Sequence, residues 1–115
     1  MKECLFSYGT LQKEKVQQEV FGRIVAASAD VLRGYKVSAI EITDQAFLSK
    51  GEARFQKTLI QSNDNDTVDG VALEITSEEL LIADKYEPAN YKRIKAVLAS
   101  GRKAWIYVAI ETEFI

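Results

Sequence analysis

The run from Arg102 to Ile110 constrains the fold of this chain more than any other stretch. Alternate side chains of an extended strand point to opposite faces, so Trp105, Tyr107 and Ala109 project one way and Ile106, Val108 and Ile110 the other. Both faces are apolar, and the rest of the chain has to cover both. The preceding run Arg93 to Ala99 is joined to it by Ser100-Gly101, which has the chemistry of a tight hairpin loop. A chain of 115 residues, 47% apolar and 28% charged, is long enough to bury roughly two-thirds of its unfolded surface in one core. The expectation is a single domain over residues 1–115.

Upstream, Cys4 to Tyr8 reads as a buried strand stopped by Gly9. Gln12 to Phe21 carries Val16, Val20 and Phe21 at helical spacing among Lys, Glu and Gln, which predicts a short surface helix. Val31 to Ile42 is strand-like, with Gly34 marking a bulge or bend. Gln45 to Gln61 mixes apolar and charged residues without a clear period. Asn63-Asp64-Asn65-Asp66 is a turn, because Asn and Asp side chains bond their own backbone, and it lacks the glycine and terminal glutamate of a calcium loop. In Val68 to Ile75 the residues Val71, Leu73 and Ile75 alternate with Gly70, Ala72 and Glu74, the period of a half-buried strand. Thr76-Ser77-Glu78-Glu79 fits a capping box and starts a helix to about Tyr86, which Pro88 stops, leaving Glu87 at the break. Antiparallel strands with two helices predict an α+β fold, with a small barrel as one way to close it.

Charge and residue usage exclude several kinds of chemistry. Fifteen Lys plus Arg against seventeen Asp plus Glu give a net charge of −2, whereas a nucleic-acid binder needs clustered positive charge to displace counterions. No histidine is present, which removes histidine-based nucleophile systems and the commonest zinc ligand. Cys4 is the sole cysteine and reads as a small core residue. No apolar run approaches the roughly 20 residues that span a bilayer, and the opening residues do not read as a signal peptide. The expected location is cytoplasmic, with no membrane or nucleic-acid partner and no metal. The sequence sets no oligomeric state.

Two short constellations can carry chemistry. Tyr8-Gly9-Thr10-Leu11 lies where a strand ends, and its amides can hold a carboxylate or an oxyanion without a cationic side chain. It equally fits a plain strand-to-helix turn with Thr10 as N-cap. Asp84 and Glu87, three apart beside Tyr86, can raise the proton affinity of one carboxylate by proximity, or can form a solvated acidic helix end. Tyr91 and Arg93 follow, placed either to line a cleft or to begin a strand.

Taken together, Leu5-Phe6-Ser7-Tyr8-Gly9-Thr10-Leu11, Val68-Asp69-Gly70, Asp84-Lys85-Tyr86-Glu87-Pro88, Tyr91-Lys92-Arg93 and Ala104-Trp105-Ile106-Tyr107-Val108 resemble the gamma-glutamylcyclotransferase superfamily. The likeness covers nearly the whole chain and is greatest to small bacterial members and gamma-glutamylamine cyclotransferases. It implies a small mixed, mainly antiparallel β-barrel with flanking short helices. It also implies release of 5-oxoproline from a small gamma-glutamyl amine or peptide, the substrate's α-amine attacking its own γ-carbonyl. By position, Glu87 would be the general acid/base and Tyr8, Gly9, Thr10 and Leu11 the substrate-binding loop. Tyr91 and Arg93 would border the pocket, and either the loop amides or Arg93 would anchor the substrate carboxylate. No cofactor is implied. Pro88 stands where many relatives have glycine, and the stretch from Glu41 to Lys57 lacks a Tyr-Pro pair found in relatives. Those departures motivate the alternative, a non-catalytic module of the same fold that recognises an amino-acid-like ligand.

Overall fold

Strand-forming runs alternate with short helical ones along the chain. In order these are β1 (Lys2–Ser7), a 3-10 turn at Thr10–Gln12, α1 (Glu14–Phe21), β2 (Ala26–Arg33), β3 (Tyr35–Glu41), α2 (Gln45–Leu48), β4 (Phe55–Gln61), β5 (Thr67–Thr76), α3 (Ser77–Tyr86), β6 (Tyr91–Val97) and β7 (Lys103–Ala109). The structure is a computed structural model that describes residues 2–41, 43, 45–49, 55–87 and 91–109. Pro88, Ile110 and most of the stretch between Glu41 and Lys57 on which expectations were placed lie outside the described residues or have undescribed side chains.

Five strands make one sheet in the order β2-β5-β1-β7-β6, and β3 pairs with β4 in a separate ribbon. Neighbours in the large sheet are antiparallel except β1 and β7, which run parallel with Leu5 beside Trp105. The architecture is the expected mixed, mainly antiparallel α+β fold, but the described strands do not close into a barrel. Among the described residues, edge strand β2 reaches the turn of the far hairpin through a bridge between Leu32 and Leu98, a hydrogen bond from the Ala99 amide to the Val31 carbonyl, and side-chain bonds from Ser100 to Asp30 and from Arg102 to Ser28. The sheet is therefore curled and pinned at one corner.

Side-chain alternation divides the core into two clusters, one on each face. Phe6, Ala72, Ala104, Ile106 and Val108 pack with Leu32, Leu98 and Leu59 of the ribbon. Leu5, Leu73, Ile75 and Tyr107 face the helices, packing with Val16, Val20, Leu80 and Ala83. The two apolar faces of β7 are covered by different parts of the chain, as its pattern demands. Thr76 and Glu79 form the capping box, with the Thr76 hydroxyl accepting from the Glu79 amide and the Glu79 carboxylate accepting from the Thr76 amide. A cap of this kind is worth about 1 kcal/mol. Glu79 also takes a two-pronged ion pair from Arg23, tying the start of α3 to the chain after α1.

Two local readings change. Gly34 is the corner between β2 and β3, not a bulge within one strand. Its φ of +83° turns the chain from the sheet into the ribbon, and its amide and carbonyl bond Asp66 and Ser62 of the loop between β4 and β5. The α1 segment is also less superficial than its Lys, Glu and Gln content implied. Gln17 is buried, donating to the Leu11 carbonyl at 2.9 Å and accepting from the Val25 amide at 3.1 Å. An amide side chain satisfying two backbone groups in a core cannot be told from a solvated one by residue type.

Gly70 on β5 is dictated by close approach. A Cβ there would collide with the Ser7 carbonyl oxygen and come within 2.6 Å of the Phe6 ring. Gly70→Ala is expected to lower unfolding free energy by about 1–3 kcal/mol, the usual cost of overpacking, measured by urea denaturation. An unchanged midpoint would contradict the contact.

Candidate active site

The Tyr8–Leu11 loop crosses the end of β1 from one core to the other. The Tyr8 ring is buried in the ribbon-side cluster, where its hydroxyl donates to the Tyr107 carbonyl and is hydrogen-bonded by buried Thr58 of β4. Leu11 is buried in the helix-side cluster, and its carbonyl is held by Gln17. Two anchors in opposite cores thus fix the backbone between them. Thr10 does not cap a helix; it opens the 3-10 turn, with Gly9 in the cap position, and its hydroxyl lies 3.3 Å from the Tyr86 hydroxyl at the end of α3. The first amides of such a turn have no acceptor within it. The Gly9 amide lies 3.4 Å from the Ser7 hydroxyl. A Cβ built on Gly9 meets nothing within 4 Å, so the loop presents its backbone to open space.

Glu87 ends α3. Its amide still bonds the Ala83 carbonyl, but its backbone has turned extended, with φ −69° and ψ 144°. With Asp84 it borders a cleft of about 270 Å³ whose described walls also include Tyr91, Lys92, Arg93, Trp105 and Tyr107. The structure brings Glu87, Tyr91 and Arg93 to one cleft. Tyr8, Gly9, Thr10 and Leu11 are not among its described walls. Electrostatics couples Tyr8 to Glu87, since the Glu87 charge acts on the Tyr8 phenol.

Three phenols, Tyr8 and Tyr107 buried and Tyr91 half-buried, respond to that charge. Burial raises Tyr8 well above its ordinary value, with Tyr91 and Glu87 adding to the effect and the Thr58 hydrogen bond opposing it. Tyr91 is raised by burial and then by Glu87. Tyr107 is raised by burial, then by its bond to Asp84, with the Asp84 and Glu87 charges adding and Arg93 opposing. All three remain hydrogen-bond donors at neutral pH.

Arg93, one of the two candidate anchors for a substrate carboxylate, is bonded within the protein. Its Nε and Nη2 donate to the two Asp84 oxygens at 2.8 and 2.9 Å, and its guanidinium lies 4.2 Å from the centre of the Trp105 ring. Tyr107 donates its hydroxyl to the same Asp84 at 2.7 Å. Trp105 and Tyr107 were read from the sequence as strand residues only. Their alternation signalled burial and nothing signalled a cleft. Thr58 lay in the segment without a clear period. Among the described residues no group of three acidic or cysteine side chains gathers as a metal site, and no helix is long and apolar enough to cross a membrane.

A curled mixed sheet with helices on one face is a fold found among solved structures. An Arabidopsis thaliana protein determined in solution is 18% identical with a TM-score of 0.75, the match covering 98% of this chain and 65% of that one. A structure described as gamma-glutamyl cyclotransferase is 17% identical with a TM-score of 0.68, covering 96% and 68%. An uropathogenic E. coli-specific protein is 18% identical with a TM-score of 0.67, covering 97% and 82%. At these identities the likeness is one of fold, and the chain spans about two-thirds of the length of the first two. A search of curated protein sequences returned no match. The model of the gamma-glutamyl cyclotransferase, AIG2-like family matches residues 5–113, and the chain belongs to that family.

The phenols make a prediction about alkali. Below their ordinary value of about 10, Tyr8, Tyr91 and Tyr107 are protonated in both folded and unfolded chains and leave stability unchanged. Above it the unfolded chain releases protons that the folded one retains, so stability falls as pH rises. Urea denaturation at increasing pH, with phenolate absorbance followed in parallel, should show these phenols ionising only as the protein unfolds. Full phenol ionisation near pH 10 in a folded protein would contradict their burial.

Proposed function

We propose that the protein is a gamma-glutamyl cyclotransferase that releases 5-oxoproline from a gamma-glutamyl amine or peptide, with Glu87 as general acid/base. The observation that carries this reading is the position of Glu87 in a chain of this family. It stands just past the end of α3, at the rim of a cleft, with its charge felt by Tyr8 of the loop and by Tyr91 and Tyr107.

The reaction suits a chain without histidine and requires no metal. Nucleophile and electrophile belong to one molecule, so a pocket that folds the glutamyl chain supplies much of the acceleration through proximity. Glu87 takes a proton from the substrate α-ammonium, and the freed amine attacks the γ-carbonyl, forming the ring C–N bond. The tetrahedral intermediate collapses as the exocyclic C–N bond breaks; Glu87 returns its proton to the leaving nitrogen and takes the second proton from the ring nitrogen, which the leaving amine carries away as an ammonium. No water is consumed. The oxyanion meets backbone amides of the Gly9–Leu11 turn, and protonated Tyr91 is a further donor near the acid. The Asp84 pair engages two of the Arg93 donors, so the substrate carboxylate is assigned to the loop amides, with Lys92 at the cleft wall as a cation.

Two substitutions test this reading. Glu87→Gln should fold normally and lower kcat/KM by about 10²- to 10⁴-fold, the range of general acid–base catalysis, in assays of 5-oxoproline release from gamma-glutamyl amino acids, glutathione and gamma-glutamyl-lysine. Ligand-induced thermal stabilisation without turnover in the wild type would instead identify a binding module. Gly9→Ala adds a methyl group that touches nothing in the protein but stands in front of the loop. Stability should change by no more than about 0.5 kcal/mol, while KM rises by about tenfold or more, equivalent to about 1.4 kcal/mol of lost binding. Wild-type kinetics in that variant would remove the loop from substrate binding.

A further inference from the structure

The two carboxylates of the cleft are held in different ways. Asp84 lies within the last turn of α3, and both its oxygens are engaged by neighbouring strands. Oδ1 accepts from Arg93 Nε at 2.8 Å and from the Tyr107 hydroxyl at 2.7 Å, and Oδ2 accepts from Arg93 Nη2 at 2.9 Å. Arg93 comes from β6 and Tyr107 from β7, so one carboxylate ties the end of the helix to both strands of the hairpin. Trp105 backs the guanidinium at 4.2 Å and is itself held by an indole hydrogen bond to Glu3 at 3.1 Å. Glu87 leaves the helix three residues later, into the same cleft.

We propose that Asp84 is a positioning residue: clamped by Arg93 and Tyr107, it fixes where Glu87 leaves α3, and the balance of charge in the Asp84–Arg93 pair sets how tightly Glu87 holds its proton. This deepens the reading of Glu87 as the base and rests on it.

Geometry and charge support the two halves separately. A planar guanidinium bonded through two parallel N–H groups and stacked on an indole has little rotational freedom, so the helix end it grips is fixed in direction. At side-chain exposures of 21% for Arg93 and 32% for Asp84 the pair is partly buried, and its fork geometry sets it apart from an ordinary exposed ion pair. Its two charges line the same cleft as Glu87. Being opposite in sign and bonded to each other, they act on Glu87 in opposite directions. Removing Asp84 alone leaves an uncompensated cation that favours the Glu87 carboxylate, and removing Arg93 alone leaves an anion that disfavours it. Among the described residues, the other groups near Glu87 stay the same in every variant and include Tyr8 from the loop, Tyr91 and Lys92 from β6, and Tyr107 from β7. The tyrosines are neutral in the acidic range where a carboxylate titrates. Tyr107 has one hydroxyl proton, and it points to Asp84, so Asp84 also keeps that phenol from donating to Glu87.

The experiment compares wild type with Asp84→Asn, Arg93→Gln and the double variant. In each, the Glu87 carboxyl carbon is titrated by NMR in the free protein and the acid limb of kcat/KM is measured. Asp84→Asn should move both midpoints to lower pH, Arg93→Gln to higher pH, and the double variant should return close to wild type. Arg93→Lys keeps the charge but loses the fork, so the midpoints should stay while kcat falls. Midpoints that do not move, that move in the same direction in both single variants, or that move in Arg93→Lys as far as in Arg93→Gln would overturn the proposal. The NMR titration needs no turnover. Inactivity of the wild type, or full activity of Glu87→Gln, would defeat the cyclotransferase reading while leaving this one to be decided by the titration alone.

Discussion

The structure depends on one constraint: the central strands β1, β5 and β7 are apolar on both faces. A short chain meets it by covering the sheet in two ways, with α1 and α3 on one face and the curl of β2 with the β3–β4 ribbon on the other. The candidate site lies where these coverings meet. The loop after β1 has Tyr8 in one core and Leu11 in the other, and Glu87 follows directly on the helix that covers the helix-side core. A site at such a seam is held by the whole core, although few of its own groups are buried. Gly70 belongs to the same arrangement, since its missing side chain lets β1 seat at Ser7, immediately before the loop begins.

The two anchors also divide labour within the loop. Tyr8 and Leu11 use their side chains to fix the chain, and the Thr10 hydroxyl is turned toward Tyr86. What the loop presents outward is main chain around Gly9. A change at Tyr8 or Leu11 therefore reaches the site through packing, whereas a change at Gly9 reaches it through the space in front of the loop.

Signals confined to neighbouring residues were legible in the sequence. The Thr76–Glu79 cap, the β6–β7 hairpin and the two apolar faces of β7 follow from local chemistry, and the structure has all three. Pairing across the chain was not legible. Gly34 looks the same as a bulge or as a corner, and only the bonds it makes to Ser62 and Asp66 decide. Gln17 looks solvated until Leu11 and Val25 are brought beside it. Arg93 looked available for a substrate because nothing in its neighbourhood in sequence places Trp105 or Tyr107 around it. A closed barrel was expected on resemblance, and the described strands meet at one corner instead.

Two acidic residues three apart at a helix end suggested mutual repulsion as the way to tune one of them. The geometry favours another arrangement. Asp84 is still inside the helix, where strands β6 and β7 supply a cation and a phenol to hold it, while Glu87 is beyond the helix, where the backbone has turned toward the cleft. The helix terminus thus separates two chemically identical groups into a fixed anion and a group at the cleft rim. On the proposed reading that separation matters more than the acidity of either group alone. A base that must take a proton and return it within one turnover works best when its neighbours do not move, and a carboxylate clamped by a guanidinium and a phenol meets that condition.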